Sequence, residues 1–225
     1  MKISPTKYID FTEIGDHYRF EKFAQHFLEG LNYRIPEPPS KGPDRGRDIV
    51  ASERVRHSRK GYRWLVSCKY LDKTIGQNDD CAKIQKLHEH ECDAFMFIYS
   101  NEVTSSFHDS VREICRSANK EYKFYTAHDI EKELLSNPSL INTFLQYFPE
   151  SFEKFSRIKE YKCEHKWHEE YAYYEPLYLV AHQKNKREKV NYTQVCYECI
   201  REYCDGLREE EYYFESTILI NEFNP

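Results

Sequence analysis

The stretch from Glu37 to Lys69 limits the possible folds more than any other part of the chain. EPPSKGPDRGRD, residues 37–48, holds three prolines and two glycines, so it cannot be helix and must be a loop that feeds a strand. Asp48-Ile49-Val50-Ala51 and Tyr62-Arg63-Trp64-Leu65-Val66-Ser67-Cys68-Lys69 then read as two strands, joined by a long basic turn through His57, Ser58, Arg59, Lys60 and Gly61. Paired as a hairpin, they bring the first residue of one strand, Asp48, to the last residue of the other, Lys69. Gly42 and Gly46 permit the tight turn that aims Asp48 outward.

Around this hairpin the apolar spacing alternates between helix and strand. Phe20, Phe23, Ala24, Phe27, Leu28 and Leu31 form one helical stripe within Arg19 to Leu31, and Asn32 and Tyr33 lead into a short extended piece. After Lys69 the pattern predicts a polar helix around Cys81 to Glu89 and a buried strand from Ala94 to Tyr99. A helix near Phe107, Val111, Ile114 and Cys115 and a strand from Tyr122 to Tyr125 come next. Thr126 with Asp129 three residues on starts a helix holding Ile130, Leu134 and Leu135, which stops at Asn137-Pro138. A last helix runs from Leu140 to Phe148. The order predicts an α/β fold with a mixed central sheet flanked by helices.

Beyond Pro149 the chain turns charged and tyrosine-rich, with a boundary expected near Ser156 to Lys159. This gives two expected domains, residues 1–150 and a small β-rich unit over 158–225. With 40% hydrophobic and 16% aromatic residues, the 225-residue chain can pack a core, while a mean hydropathy of −0.85 implies much solvated surface. No run of 18 apolar residues exists, and MKISPTKYIDFTEIGD lacks the basic-then-apolar order of a secretory signal. A cytoplasmic protein without a membrane partner is the expectation.

The net charge of −5 argues against coating nucleic acid by charge alone, since phosphate binding rests on Lys and Arg. Local charge differs: from Lys41 to Lys73 there are ten Lys or Arg against four acids. That balance suits either a phosphate-contacting face or a solvated hairpin. Arg45 and Arg47 have the same two readings.

Phosphodiester hydrolysis needs a metal to neutralise the phosphate oxygens and hold a water, plus a group that activates or orients that water. Asp48 and Lys69 supply one carboxylate and one cation of that kind. Their commoner fates are a turn aspartate and a surface lysine at a strand end.

FEKFAQHFLEGLNY, GPDRGRDIV, WLVSCK, AFMFIYSNEVTSSF and KFYTAHDIEKELL occur in an order and spacing that resembles the Mrr-like restriction endonucleases. These belong to the PD-(D/E)xK nuclease superfamily, and the resemblance covers about residues 18–136. It implies a restriction-endonuclease-like fold and a hydrolase cutting DNA with Mg2+ or Mn2+, in restriction or antiviral defence. It also implies Glu21 as the helical glutamate, Asp48 as the metal-binding aspartate and Lys69 as the strand lysine. Asp44 matches an acid that often precedes the aspartate.

One position departs from the pattern. Where such enzymes carry Glu or Gln two residues before the lysine, this chain has Ser67, a poor ligand for a hard divalent cation. Three readings stand: a site completed by Glu21 with the Cys68 carbonyl, a site completed by Asp79 or Asp80 from the next helix, or an inactive nuclease fold that binds DNA or protein. Glu21 is the preferred third ligand. The competing role of Asp79 and Asp80 is helix capping.

The second constellation begins at Cys163-x-His165-x-x-His168, continues through strand-like YAYYEPLYLV and VNYTQV, and ends at Cys196-x-x-Cys199. The layout suits a zinc ribbon with two ligands before a hairpin and two after it. Cys163, His165, Cys196 and Cys199 are the expected ligands of a structural Zn2+, with His168 as a substitute for His165 and Cys204 as a spare thiol. Buried cysteines and exposed histidines without metal are the alternative. The tail's tyrosines make dimerisation or an activating protein partner as plausible as DNA contact.

Overall fold

A computed structural model describes residues 6–39, 48–53, 61–156, 163–165, 177–185, 188–212 and 214–219. Asp44, Arg45, Arg47, Gly42, Gly46, His168 and the basic turn over residues 57–60 lie outside the described residues. The chain divides into two units, Met1–Glu131 and Lys132–Pro225.

In the first unit a 3-10 turn over Phe11–Ile14 leads into helix α1, His17–Gly30. Asp16 caps α1 by accepting the Arg19 N–H at 2.8 Å. The predicted stripe of Phe20, Phe23, Ala24, Phe27 and Leu28 is buried. Strands β1 (Arg34–Glu37), β2 (Ile49–Glu53) and β3 (Tyr62–Lys69) follow, then α2 (Ile84–Glu89), β4 (Ala94–Tyr99), α3 (Ser105–Ser117), β5 (Tyr122–Tyr125) and α4 (Ala127–Ser136). The Thr126 N–H and hydroxyl both donate to Asp129 Oδ2, at 3.1 and 3.0 Å, which bears out the predicted helix start.

The five strands form one mixed sheet in sequence order. β1, β2 and β3 pair antiparallel, whereas β3, β4 and β5 run parallel, with α2 and α3 providing the crossovers. The all-buried AFMFIY of β4 lies at the centre of the parallel part. On one face Val50, Leu65, Phe95, Phe97 and Tyr99 pack with Phe107, Val111 and Cys115 of α3.

This order sets the functional end of the sheet. The N-terminal end of β2 lies beside the C-terminal ends of β3 and β4, because Ile49 pairs with Val66 and Lys69 with Tyr99. Open sheets gather ligands at the carboxyl ends of their parallel strands.

In the second unit, Pro138–Leu140 forms a 3-10 turn before α5, Ile141–Tyr147, and α6, Pro149–Ser156. Strands β6 (Leu177–Gln183), β7 (Asn191–Cys196) and β8 (Phe214–Leu219) make an antiparallel sheet in the order β7-β6-β8, with α7 (Ile200–Glu209) between β7 and β8. The predicted hairpin is therefore present, and α7 and β8 extend it beyond a plain ribbon. The Phe152 ring meets Tyr192 edge-on at 4.9 Å, and the Val190 N–H donates to the Leu135 carbonyl at 3.0 Å. These contacts tie the segment before residue 157 to the second sheet. Among the described residues no helix is long and apolar enough to cross a membrane.

Candidate active site and thiol cluster

Asp48 sits just before β2, where the ladder with β3 ends. Its carboxylate Oδ2 accepts the Cys68 N–H at 2.5 Å, and its own N–H donates to the Val66 carbonyl at 3.4 Å. The side chain is thereby fixed against the strand that ends at Lys69. Lys69 is half-buried, and its ammonium makes no ion pair or hydrogen bond among the described residues.

Glu21 lies on α1 at the flank of the buried stripe. The same end of α1 packs on the residue after Lys69: Phe20 and His17 each bring their ring centroids to 5.7 Å from Tyr70. Burial pushes the Cys68 thiol well above its ordinary range, and the negative charges of Asp48, Glu21 and Asp80 push it further, while Lys69 opposes them. Four predicted site residues thus act electrostatically on one buried sulfur.

The two aspartates after β3 behave differently from each other and from the prediction. Helix α2 begins at Ile84 behind Lys83, which offers no side-chain cap, so neither Asp79 nor Asp80 caps it. Both lie in the preceding loop, because Asp79 is committed to a local turn. Its carboxylate takes the Gly76 N–H at 3.0 Å and the Lys73 ammonium at 2.6 Å, and Lys73 holds it below the usual carboxylate range.

Asp80 turns toward the sheet. Its Oδ2 accepts the Ser67 hydroxyl at 2.7 Å and the Tyr99 hydroxyl at 2.8 Å, and its Oδ1 takes the Cys81 N–H at 2.7 Å. Tyr99 is fully buried, and burial followed by the Asp80 charge keeps its phenol protonated far above the normal range.

The loop that carries Asp80 is pinned. Ile75 forms a parallel bridge with Val103, and Ser100 Oγ both accepts the Leu71 N–H at 2.9 Å and donates to the Leu71 carbonyl at 3.0 Å. Sequence periodicity carries no signal for such a bridge. What it offered was only the proximity of two acids to Lys69.

Among the described residues, one group of three His, Cys, Asp or Glu has its ligand atoms all within 4.8 Å: Cys163, Cys196 and Cys199. Glu21, Asp48 and Asp80 do not form such a group. Cys196 ends β7 and Cys199 precedes α7, with the Cys199 N–H donating to the Cys196 carbonyl at 3.1 Å in a knuckle turn. Cys163 is held beside β7 by a Glu164 N–H bond to the Gln194 carbonyl at 2.8 Å. Burial and the neighbouring Cys196 and Cys163 push the Cys199 thiol up to about 12. Three sulfurs so crowded suit a soft divalent cation that would hold them as thiolates.

His165 is not gathered into that group. Its ring lies 5.1 Å from Tyr203, and its buried Nε2 has no hydrogen-bond partner among the described residues. Cys204 packs in the apolar cluster with Leu177, Val180 and Leu207.

Residues 14–131 match the family model for the Mrr catalytic domain, described as a restriction endonuclease. No curated protein and no solved structure matches the chain.

Proposed function

The chain belongs to the Mrr restriction endonuclease family, and from that premise we propose that it is a metal-dependent DNA endonuclease acting in restriction or defence against foreign DNA. The observation that carries the reading is the position of Asp48 and Lys69 at one end of the sheet, where Lys69 has no ion-pair partner among the described residues and Glu21 acts on the same Cys68 thiol as both. Carboxylate oxygens are the donors that Mg2+ and Mn2+ prefer, so Asp48 and Glu21 fit such an ion. When bound, the ion neutralises the scissile phosphate and lowers the pKa of a water.

This chain's own residues do the rest. Asp48, fixed by the Cys68 N–H, presents its carboxylate at the strand end without rearrangement. Lys69 brings a positive charge that no protein anion neutralises among the described residues, and as an ammonium it orients the attacking water and offsets the charge that develops on the phosphate. Arg45 and Arg47 contact the DNA backbone in this reading.

In the second unit we assign Cys163, Cys196 and Cys199 to a structural Zn2+, with His165 or His168 as the fourth ligand. Incubating the purified chain with supercoiled plasmid and Mg2+ or Mn2+ tests the nuclease reading. Nicking that Asp48→Ala and Lys69→Ala abolish supports it; wild type matching both variants under either metal makes this an inactive nuclease-fold binding module.

A further inference from the structure

The acid missing at position 67 has a counterpart in space. Ser67 Oγ occupies the place where the γ-carbon of a longer acidic side chain would stand, and the Asp80 carboxylate begins one hydrogen bond beyond it, at 2.7 Å. From the metal-dependent reading, on which this step rests, we propose that Asp80 replaces that acid and joins Asp48 as a ligand of the divalent cation.

The charge arrangement supports the assignment. Asp79, the neighbouring acid, is neutralised by Lys73. Among the described residues Asp80 has no such cation and is held by three neutral donors: Ser67 Oγ, Tyr99 Oη and the Cys81 N–H. A carboxylate offers about four lone-pair sites, so three donors leave roughly one for a metal. Half-buried negative charge is costly unless paired, and Asp80 shares its surroundings with Asp48, since both act on Cys68 and Tyr99. The ligand is thus supplied from a loop fastened to β4 rather than from β3 itself. The strand keeps a hydroxyl whose function is to orient that carboxylate, making Ser67 a positioning residue.

Mn2+ binding to the zinc-loaded full chain, followed by the loss of the free-ion electron paramagnetic resonance signal, tests this without reference to turnover. Asp80→Asn is expected to weaken Mn2+ binding by about tenfold or more, as Asp48→Asn does, while Asp79→Asn leaves it unchanged. Adding Ser67→Glu to Asp80→Asn returns a carboxylate to the same place and restores binding, a rescue that also serves if Asp80→Asn alone folds poorly. Wild-type affinity in Asp80→Asn beside a loss in Asp48→Asn overturns the assignment and leaves the nuclease reading standing. No rescue by Ser67→Glu in a folded double variant also overturns it. Absence of Mn2+ binding by the wild type overturns the metal-dependent reading itself.

Discussion

Tyr99→Phe removes one oxygen from beneath Asp80, and the consequences can be worked out at two pH values. The hydroxyl is fully buried and donates to Asp80 Oδ2 at 2.8 Å. A hydrogen bond to a charged group contributes about 1.5–3 kcal/mol. Phenylalanine leaves no orphaned donor, and Asp80 keeps Ser67 and the Cys81 N–H, so the lower end, about 1.5 kcal/mol, is expected at pH 7.

The pH dependence follows from the raised phenol pKa. Below about pH 10 the folded and unfolded phenols are both protonated and the stabilisation is complete. Above it the unfolded chain releases a proton that the folded chain keeps, so stability falls by about 1.4 kcal/mol per pH unit until the folded phenol titrates. Tyr62, Tyr192 and Cys68 add slopes of the same sign, but they are common to both proteins and cancel in the difference. The wild-type advantage should therefore vanish near about pH 11. Urea unfolding followed by the fluorescence of the buried Trp64 reads it. Equal stabilities at pH 7, or parallel curves above pH 10, would show that the Tyr99 hydroxyl does not support Asp80 in this way.

Other perturbations have separate readouts. Metal analysis should find about one zinc per chain, which Cys196→Ser removes together with the amide-exchange protection of Leu177–Gln183. Glu131, buried in α4, accepts the N–H groups of Lys7, Tyr8 and Ile9 at 3.2, 2.6 and 3.0 Å. Glu131→Ala removes the shared acceptor of all three and should cost about 3 kcal/mol in urea unfolding, with faster exchange at Tyr8 and Ile9. Lys73→Ala, which breaks a bridge from an exposed lysine, should leave the unfolding midpoint in the same assay essentially unchanged.

The parts of the fold that were legible in the sequence are those set by local patterns. The α1 stripe, the Asp48-to-Lys69 hairpin, the buried β4 run and the Thr126–Asp129 start all follow from spacing within one element or one turn. The parts that were not legible depend on partners far apart in the chain. Asp79 and Asp80 resemble a helix start because acids favour that position, yet the Ile75–Val103 bridge holds their loop off the helix.

That Asp80 reaches Tyr99 depends on the parallel register of β3 and β4, which no local pattern encodes. In the tail the C-x-x-C spacing identified two of the clustered thiols. The polar look of IREYCDGLRE concealed a helix that buries only Cys204 and Leu207. The change of composition after Pro149 predicts a boundary near residues 156–159, while the contacts of Phe152 with Tyr192 and of Val190 with Leu135, which join residues before it to the second sheet, are long-range and leave no local signal.

Whether Asp48 and Lys69 form a working metal-dependent site is read by plasmid nicking at matched metal concentrations. Mg2+- or Mn2+-dependent nicking by the wild type is expected to fall by at least about a hundredfold in Asp48→Ala and in Lys69→Ala, with both variants still folded. Nicking that persists in either folded variant, or a wild type no more active than they are, would contradict it.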